Sequence, residues 1–130
     1  STLENEIKQE ISSEDFSVWK LEFMGKLRDF QSSLLKHFDL EEEGDFMEEI
    51  LSIAPQFQDR VERLEEEHTE IISDLNGILA DLKKFSDRDF PQLVGIRKRV
   101  GEIFTTLHSH EAAERELMQD VYLQDHGPVD

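Results

Sequence analysis

The sequence predicts an all-α protein, an up-and-down helical bundle, on three observations. Only three prolines and six glycines interrupt 130 residues. Apolar side chains recur every three or four positions along three long stretches, which is the spacing of one helix face. The β-branched runs bounded by turn residues that mark strands are missing. A length of 130 residues suits one domain with one core, spanning 1–130, and is too short for two ordinary domains. With 37% hydrophobic and 35% charged residues, the chain is too apolar to be disordered.

Each element has its own signal. Ser12 and Ser13 followed by Glu14 and Asp15 predict a helix start, because acidic side chains favour the first turn. That helix should run to about Glu43, where Gly44 and Asp45 stop it. Phe46 to Ile53 reads as a short helical piece, and Pro55 suits the first turn of a second long helix reaching about Phe85. Ser86, Asp87, Arg88 and Asp89 form a polar connection, and Pro91 lies near the start of a last long helix ending around Gln124. Before all of this, Leu3, Ile7 and Ile11 step by four, enough for two or three turns of a much shorter helix.

Charge and composition exclude several functions. A net charge of -17 repels a phosphate backbone, and no Lys and Arg cluster interleaved with aromatics offsets it, so neither nucleic acid nor an anionic membrane is an expected partner. Without cysteine there is no disulfide or thiolate chemistry, and a metal must be held by nitrogen and oxygen. No apolar run approaches about 18 residues and no signal peptide is visible, which leads to the expectation of a cytoplasmic protein.

The apolar stripe of each long helix is broken by histidine. In the first, Phe23, Leu27, Phe30 and Leu34 lead to His37 and then Glu41. The second runs Phe57, Val61, Leu64, then His68, and resumes with Ile71, Leu75, Ile78 and Leu82. The third runs Leu93, Ile96, Val100, Ile103 and Leu107, then His110 and Glu114, before Leu117 and Val121. One histidine on such a stripe is most often a satisfied core residue. Three of them, two followed four residues later by a carboxylate on the same face, point instead to a metal site of one ion or two adjacent ions. Two carboxylates on an inward seam need compensation, no Lys or Arg shares the seam, and bound cations would supply it.

Register decides whether these residues can meet. A single helix from Asp45 to Phe85 would put His68 about 35 Å from the turn and His37 about 11 Å, too far apart in depth. If Phe46 to Ala54 is a cross-piece ended by Pro55, His68 lies roughly 19 Å from its own helix start, close to level with His37. Across the next turn His68 and His110 stand at about 28 and 34 Å, which modest stagger absorbs.

The strings His37-Phe-Asp-Leu-Glu41-Glu42, Glu67-His68 and His110-Glu-Ala-Ala-Glu114, in that order, resemble the hemerythrin-like, or HHE cation-binding, family. The resemblance covers about Lys26 to Gln124 and implies a four-helix bundle, here with a short or incomplete first helix. It implies two non-haem iron ions, with His37, His68 and His110 as terminal ligands and Glu41 and Glu114 as bridges. The family's first helix supplies a further histidine, and none precedes His37 here, so that ligand lies upstream of Ser1, is replaced by Glu6, Glu10 or a residue of another chain, or is missing from an open or lost centre. The second third-helix histidine of hemerythrins proper corresponds to Ile72, which argues against a dedicated oxygen carrier more than against metal.

Other signals are weaker. His108 lies about 200° around the helix from His110 and should face solvent. The acidic residues around Gly44 lack the twelfth-position carboxylate of a calcium loop, where Ile50 stands. Glu67 and Glu111 flank the ligands and are candidates to support them from behind. Trp19, Phe16 and Phe38 read as packing residues. The expected function is therefore binding or sensing of dioxygen or a related small oxidant, or handling of iron itself, with manganese and zinc chemically admissible. The competing expectation is a helical protein-interaction module with a degenerate metal site, its short first helix leaving a groove for a second copy. An enzyme stays as a third class, because di-iron centres can reduce peroxide or nitric oxide, although no substrate pocket is evident.

Overall fold

The computed structural model describes Leu3, Ile7 and residues 11–43 and 46–126, with side chains except those of 41–43, 46, 47 and 124–126. Among the described residues four α-helices follow one another: α1 Phe16–Glu43, α2 Phe46–Ile53, α3 Gln58–Lys84 and α4 Leu93–His126. No strand occurs among them. At 1.5 Å per residue the three long helices extend about 40 to 50 Å. Leu3 and Ile7, one turn apart, are helical and buried in the main core, so apolar residues of the N-terminal segment pack into the bundle. No described helix is long and apolar enough to cross a membrane.

The breaks between helices follow from local chemistry. Ser12 to Asp15 form a turn, with Asp15 N donating to Ser12 O at 3.1 Å and Ser12 Oγ donating to Asp15 Oδ2 at 3.0 Å. This turn absorbs the acidic pair expected inside the helix, and α1 begins only at Phe16, with Trp19 N donating to Asp15 O. Ala54, before Pro55, leaves the helical region at φ -141° and ψ 76°, because the proline ring disfavours an α conformation there. A 3-10 turn at Pro55–Phe57 then leads into α3. Between α3 and α4, Ser86 N donates to the Asp89 carboxylate at 2.8 Å while Asp89 N donates to Ser86 O at 2.9 Å, and the 3-10 segment Asp87–Gln92 carries Pro91.

The long helices pack antiparallel, with α3 in contact with both α1 and α4. Gln31 Nε2 donates to Asn76 Oδ1 across α1 and α3, and Lys20 Nζ donates to Phe85 O at their end. Arg99 meets Asp81 and Arg60 meets Asp120 along α3 and α4. The seam residues of α3 are the buried ones: Val61, Leu64, His68, Ile71, Leu75, Ile78 and Leu82. Facing them on α4 are Leu93, Ile96, Val100, Ile103, Leu107, His110 and Leu117. Two apolar clusters result. The larger combines Phe16, Trp19, Phe23 and Leu27 of α1 with the Ile71 to Leu82 and Leu93 to Leu107 stretches. The smaller joins Ile50 of α2 to Val61, Leu64 and Leu117, so the cross-piece caps one end of the α3 and α4 pair.

Helical glycines on the outer surface carry a cost that can be measured. A methyl group on Gly101, exposed in the middle of α4, would meet nothing within 4 Å. Gly101→Ala is therefore expected to raise unfolding stability by roughly 0.5 to 1 kcal/mol in a denaturant titration. At Gly77 the added carbon would lie 3.2 Å from Arg99 Nη2, and the same substitution should gain less.

Candidate metal centre

The two clusters are separated by a polar layer built from consecutive steps of the seams. His68 falls between Leu64 and Ile71 on α3, and His110 between Leu107 and Leu117 on α4. Both are buried, at 3% and 2% exposure, and their Nε2 atoms lie 2.9 Å apart. Glu114, one turn beyond His110, reaches back so that its Oε1 stands 2.6 Å from His110 Nε2. His68, His110 and Glu114 thus offer three ligand atoms within 4.8 Å of one another, the one such group among the described residues.

The donor set fits a cation. Two imidazole nitrogens and a carboxylate oxygen suit borderline divalent transition ions. The two nitrogens stand 2.9 Å apart and the Glu114 oxygen 2.6 Å from one of them, so small side-chain shifts would let one ion take all three. Behind His110, Glu67 Oε1 lies 3.2 Å from Nδ1. A carboxylate in that position favours a proton on Nδ1 and leaves the Nε2 lone pair for a metal.

The same two carboxylates govern protonation. Burial is the largest single influence on His110 and acts to lower its pKa. Hydrogen bonds to Glu114 and Glu67, reinforced by their charges, outweigh it and hold the imidazole above its ordinary value of 6.5. A raised folded-state pKa means that His110 stabilises the metal-free fold fully below the unfolded value and loses that contribution as pH rises through the folded value. Ligation needs the opposite state, because Nε2 must give up its proton first. Zinc affinity is therefore expected to increase with pH through the His110 midpoint, while the metal-free stability that this group supplies falls. Zinc titrations at several pH values check the first half, and an NMR titration of the His110 ring protons checks the raised midpoint on which both halves rest, a midpoint below 6.5 contradicting it.

The other residues singled out in the sequence are distributed differently. His37 is exposed, its ring 6.2 Å from that of Phe38, and it is not part of the three-residue group. Glu41 lies in the last turn of α1, and its side chain falls outside the described residues, as do Glu6 and Glu10. Glu67 supports His110, whereas Glu111 and His108 are exposed. Phe38, read from sequence only as packing, is the residue of α1 that reaches the site. Its ring stacks on His68 at 3.8 Å and 13° and meets His110 edge-on at 5.9 Å. A signal for this was present, since Leu34 to Phe38 is a four-residue step as good as the three-residue step to His37.

A family model described as the hemerythrin HHE cation binding domain matches residues 2–122. The chain belongs to this family. The hemerythrin HHE domain is a cation-binding one, and here it carries a candidate His and Glu group at the level where the α3 and α4 seams are interrupted. The match takes in Leu3 and Ile7, which joins the N-terminal segment to the HHE domain as the packing does. No curated protein and no solved structure matches this HHE domain.

Proposed function

We propose that this chain is a single-domain, non-haem di-iron protein that binds or senses dioxygen or a related small oxidant. His68, His110 and Glu114 form the core of its metal centre. The observation that carries the reading is the meeting of two buried imidazole nitrogens and a carboxylate oxygen within 4.8 Å. Such a buried group is costly unless something compensates it, and a cation bound by all three does so. The nitrogen and oxygen ligands suit iron and admit manganese or zinc. Glu41 follows His37 by one helical turn, and the two are the further ligands of this reading, a second carboxylate and a third imidazole. Reversible binding of a small molecule needs a ligand position that the protein leaves open.

Reconstitution with Fe(II) under nitrogen, metal analysis by mass spectrometry and absorption spectra before and after admission of air test the proposal. Two equivalents of iron and a new near-ultraviolet and visible band on exposure to air are expected. Less than one equivalent sinks the reading.

A second reading rests on a separate observation. Met118, Tyr122 and Leu123 are exposed together on the last turns of α4 and line an open apolar hollow. This favours a helical interaction module in which the histidine layer is vestigial. Stability that does not respond to any divalent transition ion would favour it over the metal centre.

A further inference from the structure

The two imidazoles of the centre are oriented by different means. The torsion that turns a histidine ring is broad and two-fold, so the surroundings of the ring decide where its nitrogens point. For His110 a carboxylate contributes, with Glu67 Oε1 3.2 Å from Nδ1 on the side of the ring away from the ligand nitrogen. His68 is held across its face. Phe38 of α1 lies flat on it, with centroids 3.8 Å apart and planes within 13°. Carbon atoms attract best at about 3.5 to 4.0 Å, so the rings are already in contact, and turning His68 would drive its edge into the phenyl face.

The plane that this stack selects is the one the centre needs. In it, His68 Nε2 stands 2.9 Å from His110 Nε2 and belongs to the three-atom group with Glu114. The same phenyl ring meets His110 edge-on at 5.9 Å, and the two imidazoles cross at 61°, so one apolar side chain touches both ligands. Phe38 is itself fixed, since it is buried with the main cluster. A phenyl ring has no donor atom, so it can set the plane of His68 without competing for the ion. A bound cation also draws electrons from the imidazole, and the face of a phenyl ring favours an electron-poor partner.

We propose that Phe38 is a positioning residue of the metal centre. Its ring fixes the plane of His68 so that Nε2 is aimed at the ion shared with His110 and Glu114, before the ion arrives and after. The inference rests on the metal-binding reading above, and one ion suffices for it. Apparent affinity falls by the fraction of molecules in which the nitrogen is not already aimed, which is what loss of the ring would lower.

Zinc serves as the probe because it is diamagnetic. The full chain, Phe38→Leu and Phe38→Tyr are titrated with Zn(II) against a chromophoric chelator, and the His68 ring protons are followed by NMR. In the unmodified chain, ring-current-shifted His68 signals and nuclear Overhauser contacts to Phe38 are expected both without zinc and at saturation. Phe38→Leu keeps an apolar side chain but loses the flat face. It should lose the shift and bind zinc about tenfold more weakly or worse. Phe38→Tyr, which restores a ring, should recover both the shift and the affinity.

A Phe38→Leu chain that is less stable in chelator yet binds zinc as tightly as the unmodified chain shows a packing role only and overturns the proposal. So does a Phe38→Tyr chain as weak as Phe38→Leu. If Phe38→Leu does not fold, Phe38→Tyr and the unmodified chain decide, and loss of the Phe38 contacts to His68 on zinc binding overturns the proposal. Zinc uptake below one equivalent by the unmodified chain overturns the metal reading, and the positioning role with it. One equivalent bound equally tightly with and without the phenyl ring overturns the positioning role alone.

Discussion

Replacing His68 and His110 together by leucine is expected to make the metal-free protein more stable and its stability indifferent to metal. In the unmodified chain, two buried imidazoles and two carboxylates share hydrogen bonds in a layer between apolar clusters. Exchanging buried, hydrogen-bonded polar groups for apolar ones of similar volume is often favourable by about 1 to 4 kcal/mol. Glu67 and Glu114 are partly exposed and can hydrate once their partner is gone. A cation adds to the unmodified chain alone. At free metal 100-fold above the dissociation constant the gain is about 2.7 kcal/mol, or roughly 10 °C in Tm for a chain of this size. Thermal unfolding with Fe(II) or Zn(II), and with a chelator, should therefore show a large shift in the unmodified protein and none in the double variant. An equal shift in both would place the metal elsewhere.

The second large effect lies at the other end of α1. Phe23 is fully buried and stacked on Trp19, with ring centroids 4.9 Å apart and planes within 6°. Phe23→Ala removes that ring from the main cluster and leaves a cavity, at an expected cost of about 3 to 5 kcal/mol. Since domains are typically stable by only about 5 to 15 kcal/mol, this is a large fraction of the total. Leu21→Ala, two residues away but mostly exposed, should change stability by less than roughly 0.5 kcal/mol. Urea unfolding followed by Trp19 fluorescence measures both. Similar losses in the two variants would contradict the assigned face of α1.

How far the sequence could be read depended on which helix was being read. In α3 and α4 the apolar steps are unbroken except by histidine, so every seam position from Val61 to Leu82 and from Leu93 to Leu107 is buried. The meeting of His68 with His110 followed from their similar depths across the turn between α3 and α4, and the cross-piece expected over Phe46 to Ala54 is the short α2. In α1 the same rule has two solutions beyond Leu34, because steps of three and four are both helical. Sequence periodicity alone does not distinguish His37 from Phe38, and the choice comes from packing against His68, a residue 30 positions further along the chain. The start of α1 moved for a local reason, since Ser12 and Asp15 satisfy each other in a turn before the helix begins. Glu67 was recognisable only as a neighbour of a ligand, and its partner is the histidine of the facing helix.

The polar layer also divides the molecule mechanically. On one side lies most of the apolar core, and on the other, among the described residues, the smaller cluster of Ile50, Val61, Leu64 and Leu117 with the side chains packed around them. So small a group of contacts has little stability of its own, and in helices that cross the layer it is protected chiefly by continuity with the larger block. The imidazoles and carboxylates therefore act as the rivet between a large cooperative unit and a small one. A cation held there is expected to slow amide exchange at the α2 end, and its removal to let that end open while the rest of the bundle remains folded.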